Sequence, residues 1–190
     1  MTFYNVLSAL LFVGSLRVLL LAFEASAGIG AITAAGCLAV VVFNDMLSTS
    51  HEIESTAQTK YTLPLMIIDL INFVLLALGM VVINPQTNVF DVALPKIAAK
   101  LGASSFWLLL AIYWLLLMLW THIACGETRK QTATVVLWQS SVVAIFLLEW
   151  IFYLCDFQGL SAVVSTLILI YLVLYLTWIR TRVRRASGLD

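Results

Sequence analysis

Six runs of apolar residues divide the chain, at roughly 4–23, 27–47, 62–84, 104–125, 132–154 and 159–180, each close to the 20 or so residues a helix needs to cross a bilayer core. None alternates with the two-residue period of a membrane strand. In lipid, backbone groups must pair inside a helix or a closed barrel, so these runs are helices. The pattern predicts an all-α polytopic membrane helix bundle. It has six transmembrane helices in a single transmembrane domain over residues 1–190.

The breaks between runs are polar or glycine-rich. "EASAGIG" (24–30) makes a tight turn, and "STSHEIESTAQTKYT" (48–62) is a polar connection. "NPQTNVFDVALPKIAAKLGASS" (84–105) is the longest break, and "GETRKQT" (126–132) combines a glycine with three charges. "CDFQG" (155–159) ends the fifth run with a glycine, Gly159, suited to a helix terminus. The first run borders "AFEASAG", which has the small residues of a signal-peptide cleavage site. It lacks a positive n-region, however, and Arg17 interrupts its apolar stretch, so a retained helix is expected.

Composition agrees with this pattern. Of 190 residues, 63% are hydrophobic and 11% charged, against about 45–50% and 25% in soluble domains. A formal charge of zero offers nothing to nucleic acid. Cys37, Cys125 and Cys155 are far apart and form no paired motif. They are expected to be small packing residues.

Charge then sets the orientation. With both termini cytoplasmic, the inner segments hold Lys60, Arg129, Lys130, Arg180, Arg182, Arg184 and Arg185, and the outer ones Lys96 and Lys100. This is the bias of the positive-inside rule. The basic cytoplasmic tail, 180–190, contributes most and serves as a topology anchor. In the long outer break, Phe90, Leu94, Ile97, Ala98 and Leu101 recur at helical spacing, with Pro95 suited to a first turn. An amphipathic helix lying in the interface is expected there, as a connector or as a lid over an outer vestibule.

Polar residues inside the runs are the candidates for function, because a charge at mid-bilayer costs about 2.5–3.5 kcal/mol on the insertion scale. A rise of about 1.5 Å per residue places each by depth. Arg17 and Glu149 fall at similar depth in the outer half and are expected to form a structural ion pair or gate, with Glu24 as a competing partner. Asp69 lies about 10 Å in from the cytoplasmic end of its helix, with Asn72 on the same face and Gln139 at matching depth on the fifth helix. Asn44 and Asp45 close the inner end of the second helix, whose face continues through Ser48 and His51, and His122 closes that of the fourth. This inner set either encloses a hydrated pocket open to the cytoplasm or ties four helices together.

Other chemistry is weakly represented. HExxH, GxSxG and Walker A motifs are absent from the sequence, so no catalytic residues and no cofactor are assigned. His122 with Cys125 is too small a ligand set to predict a metal site. Trp107 and Trp120 fit interfacial belts, while Tyr113 and Trp114 fall mid-span, where core, lipid or pore packing are all open. Gly28, Gly30, Ala34, Ala35 and Gly36 would admit a close helix. The first expectation is a small integral membrane channel or carrier for an ion or small polar solute, with a cytoplasmic-side cavity formed by Asp69, Asn72, Gln139, Asp45, Asn44 and His122. The alternative is a non-transporting subunit: a sensor, anchor or assembly partner of a larger complex. Its surroundings are the lipid bilayer of the cell (inner) membrane and either further copies of itself, as a homo-oligomer, or a partner membrane subunit.

Overall fold

The computed structural model describes residues 3–25, 27–55, 63–83, 101–102, 104–124 and 129–179. Among these the chain is all-helical, with no strands. The helices are α1 (Phe3–Glu24), α2 (Ile29–Ser55), α3 (Leu63–Ile83), α4 (Ser105–Ala124), α5 (Arg129–Leu154) and α6 (Gln158–Leu174). A π-helical turn, Tyr175–Ile179, continues α6. Five helices are long and apolar enough to cross a membrane, and α4 is apolar over the shorter stretch Ser105–Trp120. The expected interfacial helix, the 180–190 tail, Cys125, and the side chains of Ser48, His51 and the cations that set orientation lie outside the described residues.

Local chemistry explains where helices start and stop. Pro64 sits in the first turn of α3, where its missing N–H has no helical partner to lose. The Gly28 carbonyl accepts the N–H groups of Ala31 (2.9 Å) and Ile32 (3.2 Å) and so opens α2. The α5–α6 turn closes as a Schellman motif. Phe157 N–H reaches the Phe152 carbonyl (3.1 Å) and Asp156 N–H that of Tyr153 (3.3 Å). The left-handed residue is Asp156, at φ 59°, and the Phe152 and Phe157 rings meet edge-on at 6.4 Å across the turn. The expected terminus at Gly159 is therefore displaced: Asp tolerates the left-handed region better than most side chains, and Gly159 lies inside α6.

The helices form a closed ring in the order α1, α2, α6, α5, α4, α3, with α3 also touching α2. The outer surface is apolar: Leu10, Val13 and Leu20 of α1, Leu70 and Val74 of α3, and Val163, Leu167 and Ile170 of α6 are all exposed. Exposed leucines and valines recurring every three or four residues are what lipid, rather than water, accommodates. Association in lipid depends on close packing and interhelical bonds, and α2 supplies both. Thr33–Ala39 is buried without interruption. Thr33 Oγ1 lies 3.0 Å from Ser165 Oγ on α6, and the Cys37 thiol donates to the Ser165 carbonyl at 3.8 Å. Cys37 is thus a packing residue as expected, whereas Cys155 is exposed at the α5–α6 turn.

Gly36 marks a close approach of α6 to α2. A β-carbon there would stand 3.1 Å from Leu169 Cδ2 of α6. Gly36→Ala is expected to be tolerated after a small shift of the Leu169 tip. Gly36→Val should cost about 1–3 kcal/mol by overpacking, read as a lower unfolding midpoint in detergent. Equal midpoints for both variants would show that α6 moves freely off α2.

Candidate functional site

A cavity of about 430 Å³ opens at the end of the bundle where α1 turns into α2. Small residues create the space: Gly28, just before α2, and Gly30, Ala31 and Ala34 of α2 line it, and a β-carbon on Gly28 or Gly30 would meet nothing within 4 Å. Phe106 and Trp107, in the first turn of α4, form an aromatic wall with ring centroids 4.9 Å apart and planes at 65°. The Schellman turn delivers Asp156 to the rim and aims the start of α6, with Ser161 and Ser165, into the same space.

Glu149 of α5 is the chemical centre. It lines the cavity yet is 0% exposed. Ser161 Oγ donates to its Oε1 at 2.5 Å. Its Oε2 is buried and has no hydrogen-bond partner among the described residues. Tyr153, one turn on, shares its face and lines the mouth. An acid held out of water with half its acceptor capacity unused is an energetically costly group.

The expected Arg17–Glu149 pair is not formed among the described residues. Arg17 and Glu24 are exposed on α1, and α1 stands across the ring from α5. Matching depth placed these residues at one height, but not on facing helices.

The opposite half of the bundle holds the other expected set. Asp45, Asn44, Asn72 and Gln139 are buried, Asp69 is half-buried and His122 is exposed. Tyr113 of α4 donates to Asp45 Oδ1 of α2 at 2.8 Å, and Asp69 of α3 is close enough to act on Asp45 electrostatically. The hydrogen bond joins α4 to α2, and Tyr113 and Trp114 are fully buried. The cavity described above is not around Asp69, where one was expected. Its lining does not include Asp69, and glycine and alanine make its room at the other end. Ser141, bonded to Tyr171 at 2.9 Å, and Ser140, against Met118 Sδ at 3.9 Å, tie α5 to α6 and α4.

Sequence reading by depth missed Ser161, Tyr153 and Asp156. The available signal was the pair Ser161 and Ser165, four residues apart and so on one face of α6. Among the described residues no group of three metal-ligating side chains occurs. The chain matches no protein-family model, no curated protein and no solved structure.

Proposed function

We propose that this chain is a small integral membrane channel or carrier for an ion or small polar solute, with the Glu149 cavity as its recognition site on the outer side. In this reading all six helices cross the cell membrane and both termini are cytoplasmic. The observation that supports it is a fully buried acid lining a cavity inside a helical bundle whose outside is apolar. An ionisable side chain in a membrane interior is expensive and commonly marks a pathway or binding site. The Asp45–Tyr113–Asp69 group supplies a second polar station at the other end, as a solute crossing the bundle would require.

Flux into proteoliposomes tests this with a panel of ions and small polar solutes. Wild-type chain is expected to conduct or exchange at least one of them. Glu149→Gln should lower that flux by roughly tenfold or more, the scale of removing one partner of a buried charge contact. Asp69→Asn should lower it less. A well-folded wild type with no flux, co-purifying with another membrane subunit, would replace this reading with that of a non-transporting subunit.

A further inference from the structure

We propose that the Glu149 cavity binds a small organic monocation of the ammonium class. The inference rests on the cavity being a recognition site, and it does not require that the bound molecule be carried across.

Charge gives the sign. Two acidic residues line the space, Glu149 and Asp156, and none of its described lining residues is cationic. An anion would meet carboxylate repulsion. A neutral solute would leave the Glu149 carboxylate without a counter-charge, so that it would take up a proton, whereas a cation lets it stay ionised. The unpartnered Oε2 is the acceptor that an N–H group, or the positive face of a methylated ammonium, would take up.

The walls decide which kind of cation. Calcium and magnesium take six or more oxygen ligands, and the described residues hold no cluster of three metal-ligating side chains. Instead Phe106, Trp107 and Tyr153 supply aromatic surface on the cavity wall. Aromatic rings attract weakly hydrated ammonium groups through the ring quadrupole. A volume of about 430 Å³ also exceeds what a bare ion fills and suits a multi-atom ligand. Ser161 completes the site. Its hydroxyl fixes Oε1 of Glu149, leaving the other oxygen for the ligand.

The experiment uses the full chain in nanodiscs, titrated calorimetrically with tetramethylammonium and methylammonium chlorides against sodium chloride of equal ionic strength. Saturable binding of the ammonium salts is expected, with Glu149→Gln weakening it by roughly tenfold or more and Asp156→Asn by a smaller factor. A second measurement is independent of how Glu149→Gln folds. Gly30→Cys, in a chain with Cys125→Ser and Cys155→Ser, places a thiol in open space on the cavity wall. Tetramethylammonium should slow its modification by N-ethylmaleimide, and sodium should not. Equal protection by both salts, no ammonium binding, unchanged affinity in Glu149→Gln, or preferential binding of a divalent metal would each overturn the proposal. Binding without flux would remove the transport reading and leave this one. Flux of another solute without ammonium binding would do the reverse.

Discussion

Trp114→Ala is expected to lower the stability of the bundle by about 3–5 kcal/mol, the range for truncating a buried tryptophan. Trp114 is 1% exposed and stands edge-on to Tyr113 at 5.9 Å and to Tyr175 at 6.1 Å. It therefore connects α4, whose Tyr113 reaches across to α2, with the π-helical turn that ends α6. Removing the indole leaves a void between α4 and the π-helical turn, and a close-packed interior relaxes into such a void only in part. Trp114→Phe is the informative control. The indole Nε1 is buried without a hydrogen-bond partner among the described residues. Phenylalanine would lose some volume but also dispose of an unsatisfied donor, so a cost of only about 1 kcal/mol is expected. Reversible unfolding in bicelles measures both. A Trp114→Phe cost as large as that of Trp114→Ala would mean that the N–H has found a partner in the membrane, and that the aromatic cluster is not held by packing.

Which parts of this architecture could be read in advance follows from what lipid demands of a sequence. Helix existence and extent were legible because lipid forbids unpaired backbone. The third run, expected at about 62–84, forms Leu63–Ile83, and the fourth, expected at about 104–125, forms Ser105–Ala124. Helical rise converts residue number into height, which orders residues along a helix. Azimuth was not legible. Helical rise assigns Arg17 and Glu149 one height, yet one is exposed on α1 and the other buried on α5 across the ring. Hydrophobic periodicity could not resolve this, because lipid-facing and core-facing positions in these helices are both apolar. The turn conformation escaped for a different reason: a glycine was available at 159, but Asp156 occupies the left-handed position. The cavity was the least legible feature, being made by missing side chains. The glycines and alanines of α2 signalled a close helix, and around Gly36 that is what they admit, since Leu169 of α6 stands against it. At Gly28 and Gly30 the same residue type leaves space instead. Sequence alone does not distinguish a glycine that is covered from one that is not.

The contact between Tyr113 and Asp45 decides what the opposite half of the bundle is for, and a double-mutant cycle measures it. Interhelical hydrogen bonds in membrane proteins average only about 0.6 kcal/mol, because the separated helices find other partners. A bond to an ionised group is worth more, about 1.5–3 kcal/mol. Asp45 is buried, accepts the Tyr113 hydroxyl at 2.8 Å and is acted on by a second carboxyl, Asp69. The larger figure is expected for Tyr113→Phe where Asp45 carries its charge, and the smaller one where it is protonated. Asp45→Asn removes one of two neighbouring acids, and in that background the Tyr113→Phe penalty should fall towards about 0.6 kcal/mol. A penalty unchanged by Asp45→Asn would show that the hydroxyl is worth the same to an amide as to an acid. The group would then be ordinary helix-to-helix attachment, and the transport reading would lose its second polar station. A strongly coupled pair keeps both ends of the proposed route acidic: Glu149 beside an open cavity, and Asp45 with Asp69 beside Tyr113. A cation taken up at the first would then find a matching charge at the second.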